Sequence, residues 1–150
     1  MYPTAEDGMF RPMTLFLLLF LLLAAAAAGF VGYVRLAPSD AARWHVDPLT
    51  AADPDTPNFA RVDRVVTLSP ETVAERIAAR ARTEGAVRLA GDDAHATWIA
   101  RTALMRYPDY VSIRLIPEGE GTRIVAFSRS RFGYGDRGVN RARLRRWLPV

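Results

Sequence analysis

From residue 13 to residue 34 the chain is one uncharged, almost wholly apolar run, with Arg11 before it and Arg35 after it. A helix of that length is about 33 Å long, matches a hydrocarbon core of roughly 30 Å, and satisfies its own backbone in lipid. The pattern therefore predicts a single transmembrane helix over 13–34, behind an N-terminal tail at 1–12. Over residues 35–60 no period survives. Pro38, Pro48, Pro54 and Pro57 stand among small and acidic residues, which is linker composition. Trp44-His45-Val46-Asp47-Pro48 interrupts that stretch and is a candidate to dock on whatever follows.

Regular patterning resumes in the segment 61–150, which reads as one domain of ordinary small size. Residues 62–68 are β-rich. Ser69-Pro70-Glu71 then supplies an N-cap hydroxyl, a proline for the first helical position and an acid for the first turn. Val73, Ile77 and Ala81, with Ala74 and Ala78, form one apolar stripe, and Gly85 ends the helix. Four strands are predicted next. Residues 86–90 turn at Gly91-Asp92-Asp93 into 94–102, and Tyr107-Pro108-Asp109 turns into 110–116. Pro117 to Gly121 then leads into 122–131. Connections this short make hairpins, hence an antiparallel meander. A last helix follows, with Asn140 as its N-cap and Val139 as a staple onto Leu144; Leu144, Trp147 and Leu148 make its apolar face. The predicted class is α+β: a transmembrane helix, then a small antiparallel sheet of about five strands with two packed helices.

The leading run also has the look of a cleavable signal, since Leu17 to Leu23 precedes the alanines 24–28 and Met9 offers an alternative start. Phe30, Val31, Tyr33 and Val34 extend it to spanning length, so a retained single-pass anchor in a bacterial inner membrane is the preferred reading. Positive-inside counting puts the C-terminus in the cytoplasm. A signal-anchor reading, slightly preferred, puts it in the periplasm.

The 20 basic residues are all arginine, and cysteine is absent, which excludes disulfides and thiolate metal sites. Charge is unevenly placed. Residues 129–150 hold seven arginines and one acid, a balance of +6, against −2 for residues 1–128, so the net charge of +4 belongs to the C-terminal segment. Such a patch attracts anions.

Three stretches carry a resemblance. Tyr107-Pro108-Asp109-Tyr110-Val111-Ser112-Ile113, Ser128-Arg129-Ser130-Arg131-Phe132-Gly133 and Gly135-Asp136-Arg137-Gly138-Val139-Asn140-Arg141 resemble the "D-D-V", "R-S-x-S-R-x-G" and "D-x-G-V-N-R-x-R" patterns of domain-of-unknown-function family DUF1499. Tyr110 replaces the second acid of the first pattern, and the serine–arginine order of the second is shifted. His45-Val46-Asp47-Pro48 and Pro57-Asn58 look like the upstream segment of membrane-bound members, so the resemblance spans residues 44–148. It implies a domain, and neither an activity nor a catalytic residue.

Chemistry concentrates in the C-terminal motif. On a strand, Arg129 and Arg131 project to one face. With Ser130, Asp136, Asn140, Arg141 and the first amides of the last helix, they form a candidate anion site. The competing account is internal: Asp136 caps the helix or pairs with these arginines. Arg143, Arg145 and Arg146 read as a solvated helix face, or as contacts to anionic lipid headgroups. Trp98 reads as core, and Phe132 and Tyr134 as cover for the last helix. No metal-ligand spacing or nucleophile elbow is present, and no cofactor is expected.

The preferred function is a membrane-anchored, non-catalytic binding or scaffold module. Its partners would be membrane lipids through 13–34 and an anionic small molecule or an acidic protein; nucleic acid is disfavoured. One alternative is an envelope hydrolase or transferase using His45 or His95 with Asp109, with Asp47 nearby. Another is a structural subunit of a membrane complex.

Overall fold

A computed structural model describes residues 7–103 and 105–150. The chain divides into two compact units, one up to Ala37 and one from Pro38 to Val150. In the first, α1 (Asp7–Leu36) includes a 25-residue stretch from Pro12 to Leu36 whose most apolar 18 residues have a mean hydropathy of 2.6. Its length, about 38 Å, and its composition suffice to cross a membrane.

The second unit is a five-stranded antiparallel sheet with helices on one face, the α+β arrangement expected. After a single turn of helix, α2 (Ala41–Trp44), come β1 (Phe59–Val66), α3 (Pro70–Thr83), β2 (Val87–Gly91), β3 (His95–Arg101), β4 (Pro108–Glu118), β5 (Gly121–Ser130) and α4 (Val139–Trp147). The spatial order is β1-β5-β4-β3-β2, so only β1 departs from a simple meander, pairing with the last strand. Period-2 alternation assigns the faces. Ala96, Trp98 and Ala100 of β3, Val111, Ile113 and Leu115 of β4, and Ile124 and Ala126 of β5 form one core with the helices. Onto them α3 lays Val73, Ile77, Ala78 and Ala81, and α4 lays Leu144 and Trp147, with Leu148 just beyond its end.

The sequence signals for α3 are met in detail. Ser69 Oγ accepts from the Thr72 amide at 3.3 Å. At the other end Gly85 has φ +72°, and the Ala86 amide donates to Ala81 O while that of Gly85 donates to Arg82 O. A left-handed residue that closes the last carbonyls in this way favours glycine.

The other end of the sheet differs from expectation. Pro108 and Asp109 do not form a turn but begin β4, paired with Arg101 and Ala100. The reversal lies upstream, where the amides of Thr102 and Tyr107 donate to Tyr107 O and Thr102 Oγ1. Asn140 is not the N-cap of α4 either. The cap is Gly138, at φ +80°, and Asp136 does the chemical work: Oδ1 accepts from the Gly138 amide at 2.9 Å and Oδ2 from the Asn140 amide at 2.7 Å. Val139 thus becomes the first helical residue, stays 41 % exposed, and is not the staple.

The proline-bearing segment 38–58 has little regular structure, yet it packs on the sheet face opposite the helices. Trp44 stacks on Tyr110 with ring centroids 4.0 Å apart and planes 9° apart, and Ser39 Oγ lies 2.8 Å from Tyr110 Oη. Arg61 of β1 ties the far part of this strap, donating to Asp53 Oδ1, Pro48 O and Ala51 O. Arg114 pairs with Asp47. The strap covers apolar rings that would otherwise face water, which is why a stretch without periodicity adopts one place.

Candidate anion-binding site

Along β5, alternate side chains go to opposite faces. Ser128 points at α4, and Arg129 points at the strap. The Arg129 guanidinium lies 5.2 Å from the Trp44 ring centroid and 5.0 Å from that of Phe127, and its Nη2 donates to Trp44 O at 3.2 Å. Arg43 stands 5.1 Å from the same indole and Arg131 5.9 Å from it, with Arg131 Nη1 donating to Pro38 O at 2.8 Å. Tyr110 occupies one face of Trp44, so three guanidinium groups gather about the remainder of one ring. Among the described residues none of the three has a carboxylate within ion-pair distance.

That is costly for Arg129, which is only 9 % exposed. Burial, followed by repulsion from Arg61, draws its pKa down from the ordinary guanidinium value. Cation–π contacts return about 0.5–2 kcal/mol each, without neutralising the charge. Beside these groups opens a cleft of about 610 Å³, whose lining includes Arg43, Trp44, Thr50, Ala51, Arg129 and Ser130. Asp47 also borders it, with its charge already engaged by Arg114.

The helix-side members of the expected site go elsewhere. Asn140 is fully buried: its Nδ2 donates to Asn58 O at 2.9 Å, Ser130 Oγ at 3.0 Å and Asp136 Oδ2 at 2.7 Å, and its Oδ1 accepts from Ser128 Oγ at 2.5 Å. Asp136 caps α4, and its carboxyl stays below the usual range. Burial opposes that direction, and the donors at Asn140 and Gly138 outweigh it. Arg141 is exposed on α4. The start of α4 is thus already filled by the chain's own carboxylate and amide, and Arg129 and Arg131 lie on the other face of the sheet.

One arginine read as solvated is in fact interior. Arg143, 4 % exposed, donates from Nη2 to Asp109 Oδ2 at 2.7 Å and from Nη1 to Asn140 Oδ1 at 3.0 Å. Asp109 is 1 % exposed, its Oδ1 has no partner, and burial raises its pKa against the pull of Arg143. Arg146 is also engaged, forking onto Glu84 at 2.9 and 3.0 Å while Trp147 Nε1 donates to Glu84 Oε2. Of the three arginines expected on a free helix face, only Arg145 is both exposed and without a side-chain bond among the described residues.

The family model described as Protein of unknown function (DUF1499) matches residues 37–149. The chain belongs to that family. No curated protein matches it. Among solved structures, TTHA0849 from Thermus thermophilus is similar at 19 % identity over 58 % of this chain and 81 % of that one, with a TM-score of 0.29. A likeness of that size carries no argument about the site.

The DUF1499 match begins at residue 37, so it takes in the strap as well as the sheet. The motif residues quoted above divide between the two faces. Asp109, Ser128, Ser130, Asp136 and Asn140 enter the buried polar network under α4, whereas Arg129 and Arg131 serve the strap. The histidines of this DUF1499 chain meet as well. His45 and His95 stack at 4.2 Å, His45 Nδ1 lies 2.8 Å from Thr97 Oγ1, and His95 Nε2 donates to Val46 O at 3.0 Å. Asp109 does not join them. It lies five register positions along β4 from Arg114, the residue facing His95, and on the opposite face of the sheet. The described residues also contain no group of three or more histidine, cysteine or acidic side chains able to hold a metal ion.

Proposed function

We propose that this DUF1499 chain is a membrane-tethered, non-catalytic binding module whose Arg43 and Arg129 side chains engage an anion in the cleft beside Trp44, with Arg131 adding its charge beside the same indole. One observation carries the reading: three guanidinium groups share an indole, one of them nine-tenths buried, and no carboxylate of the described residues pairs with any of them. Interior cations are ordinarily paired, because the desolvation cost is otherwise uncompensated. An anion arriving from solution supplies what the chain withholds. Ser130 borders the cleft, but its hydroxyl is taken by Asn140 on the helix side, so like Asp136, Asn140 and Arg141 it does not support this reading. The tether is Pro12–Leu36, taken as a retained anchor because its length exceeds that of a signal-peptide core. The hydrolase reading loses support, since it needs Asp109 beside the two histidines.

The test is the melting temperature of the full chain in detergent, as chloride is replaced by sulfate or phosphate at matched ionic strength. Ligands that bind only the folded state raise that temperature. The wild type is expected to gain several degrees and Arg43→Gln to gain little. A wild-type melting temperature indifferent to anion identity overturns the reading.

A further inference from the structure

Resting on that reading, we infer that the ligand of this cleft is a phosphate monoester: a phosphoryl group on the arginines with an organic substituent along the strap. The charge balance comes first. A carboxylate offers one negative charge to this cluster, whereas a phosphate monoester carries about −1.5 to −2 at pH 7 and three acceptor oxygens. Guanidinium forks and phosphoryl oxygens match bidentately. Arg129 is the fixed donor, pinned by Trp44 O and by two aromatic rings. Arg43 is exposed at the rim and free to close on a ligand, and the exposed Thr50 on the strap adds a neutral hydroxyl.

Space argues for the ester. A bare ion fills little of about 610 Å³, and apart from Asp47, which Arg114 engages, the remaining lining is small or apolar: Val46, Ala51, Ala52 and Pro54. That wall suits carbon and repels a second charged group, so a monoester fits better than a pyrophosphate. Two sources present this chemistry, a soluble phosphate ester and a lipid whose headgroup ends in phosphate.

Full-length protein in phosphatidylcholine nanodiscs, titrated calorimetrically with glycerol 3-phosphate, glycerate and sulfate, separates the possibilities. Glycerol 3-phosphate is expected to bind at least tenfold more tightly than glycerate. Its affinity should fall as pH drops below about 6, where the ester loses its second charge. Arg43→Gln, at an exposed position that leaves the core untouched, should weaken binding on the order of tenfold, and Arg43→Lys less. Phosphatidic acid added to the discs competes with the soluble ester if the lipid is the natural source, and leaves its affinity unchanged if the source is soluble; either result agrees with the proposal. Glycerate or sulfate binding as tightly as the ester overturns the phosphate assignment and leaves the anion reading standing. Failure of all three to bind overturns both.

Discussion

The Asp109–Arg143 pair offers the sharpest quantitative check on how this domain is held together. Both side chains are almost wholly removed from water, 2 % and 5 % exposed, and bonded at 2.7 Å. Replacing Arg143 with Met keeps most of the volume and strands a buried carboxylate. Losing one partner of such a pair costs about 3–5 kcal/mol, against roughly 5–15 kcal/mol for a whole domain. At about 2.1 cal/mol/K per residue over Pro38–Val150, that loss is a fall in melting temperature of roughly 13–21 °C. Far-ultraviolet circular dichroism of the detergent-solubilised chain reads it directly. The variant should also acquire a signature in pH. The Asp109 pKa is raised by burial even with Arg143 present, and without it rises further. A group whose folded pKa exceeds its unfolded value contributes stability below the unfolded value and loses it as pH climbs through the folded one. Arg143→Met should therefore regain stability as pH is lowered from 7 towards 5, and the double variant Asp109→Leu with Arg143→Met should recover at least half of the deficit. A shift under about 3 °C for Arg143→Met, or strict additivity in the double variant, would refute the claim that the two charges depend on each other.

Two further expectations follow from the same geometry. Asn140→Ala removes the hub that satisfies Asn58 O, Ser128, Ser130 and Asp136, leaving buried polar groups unpaired; it should cost about 2–3 kcal/mol, and thermal melts that coincide with wild type would contradict the role assigned to it. His45, stacked on His95, should make the strap acid-sensitive. His45 lies below the ordinary value of 6.5, from burial first and His95 second, with Asp92 pulling the other way; Asp47 and Arg114 of the same region neutralise each other. Docking is therefore complete above about 6.5 and weakens as pH falls from there towards the folded value, so hydrogen exchange at residues 44–48 should accelerate between pH 7 and 5 once corrected for intrinsic rates. Exchange that tracks the intrinsic rate alone, or is equally changed in His45→Gln, would remove His45 from that role.

The elements legible in the chain were those specified locally. Ser69-Pro70-Glu71 and Gly85 bracket α3 because caps act within a turn, and the hairpins at Gly91-Asp92-Asp93 and Pro117–Gly121 are short-range turn chemistry. What local reading missed depends on partners far along the chain. Arg143 sits in an arginine-rich stretch that looks solvated, and only Asp109, 34 positions earlier, explains its burial. Asn140 has the right chemistry for an N-cap, but Asp136 reaches the same amides, which frees Asn140 to satisfy Asn58, just before β1, and the end of β5. The strap has no period, since its contacts are single rings and carbonyls on a distant sheet: Trp44 on Tyr110 and Pro48 O under Arg61. For the candidate site, the shared face of Arg129 and Arg131 was readable from strand alternation. That Arg43 and Trp44 would meet them was not.

Because β1 borders the sheet and, among the described residues, pairs with β5 alone, Phe59 waits for Arg129. At ribosomal speeds of about 5–20 residues per second, those roughly seventy positions take about 4–14 s to appear. Throughout that interval a nascent edge with a full row of unsatisfied amides and carbonyls hangs free, while the hairpins from β2 to β4 can already zip together. Closure of the domain is thus a late event by construction, and helper proteins that shield strands during synthesis would have their moment before the last fifth of the chain emerges.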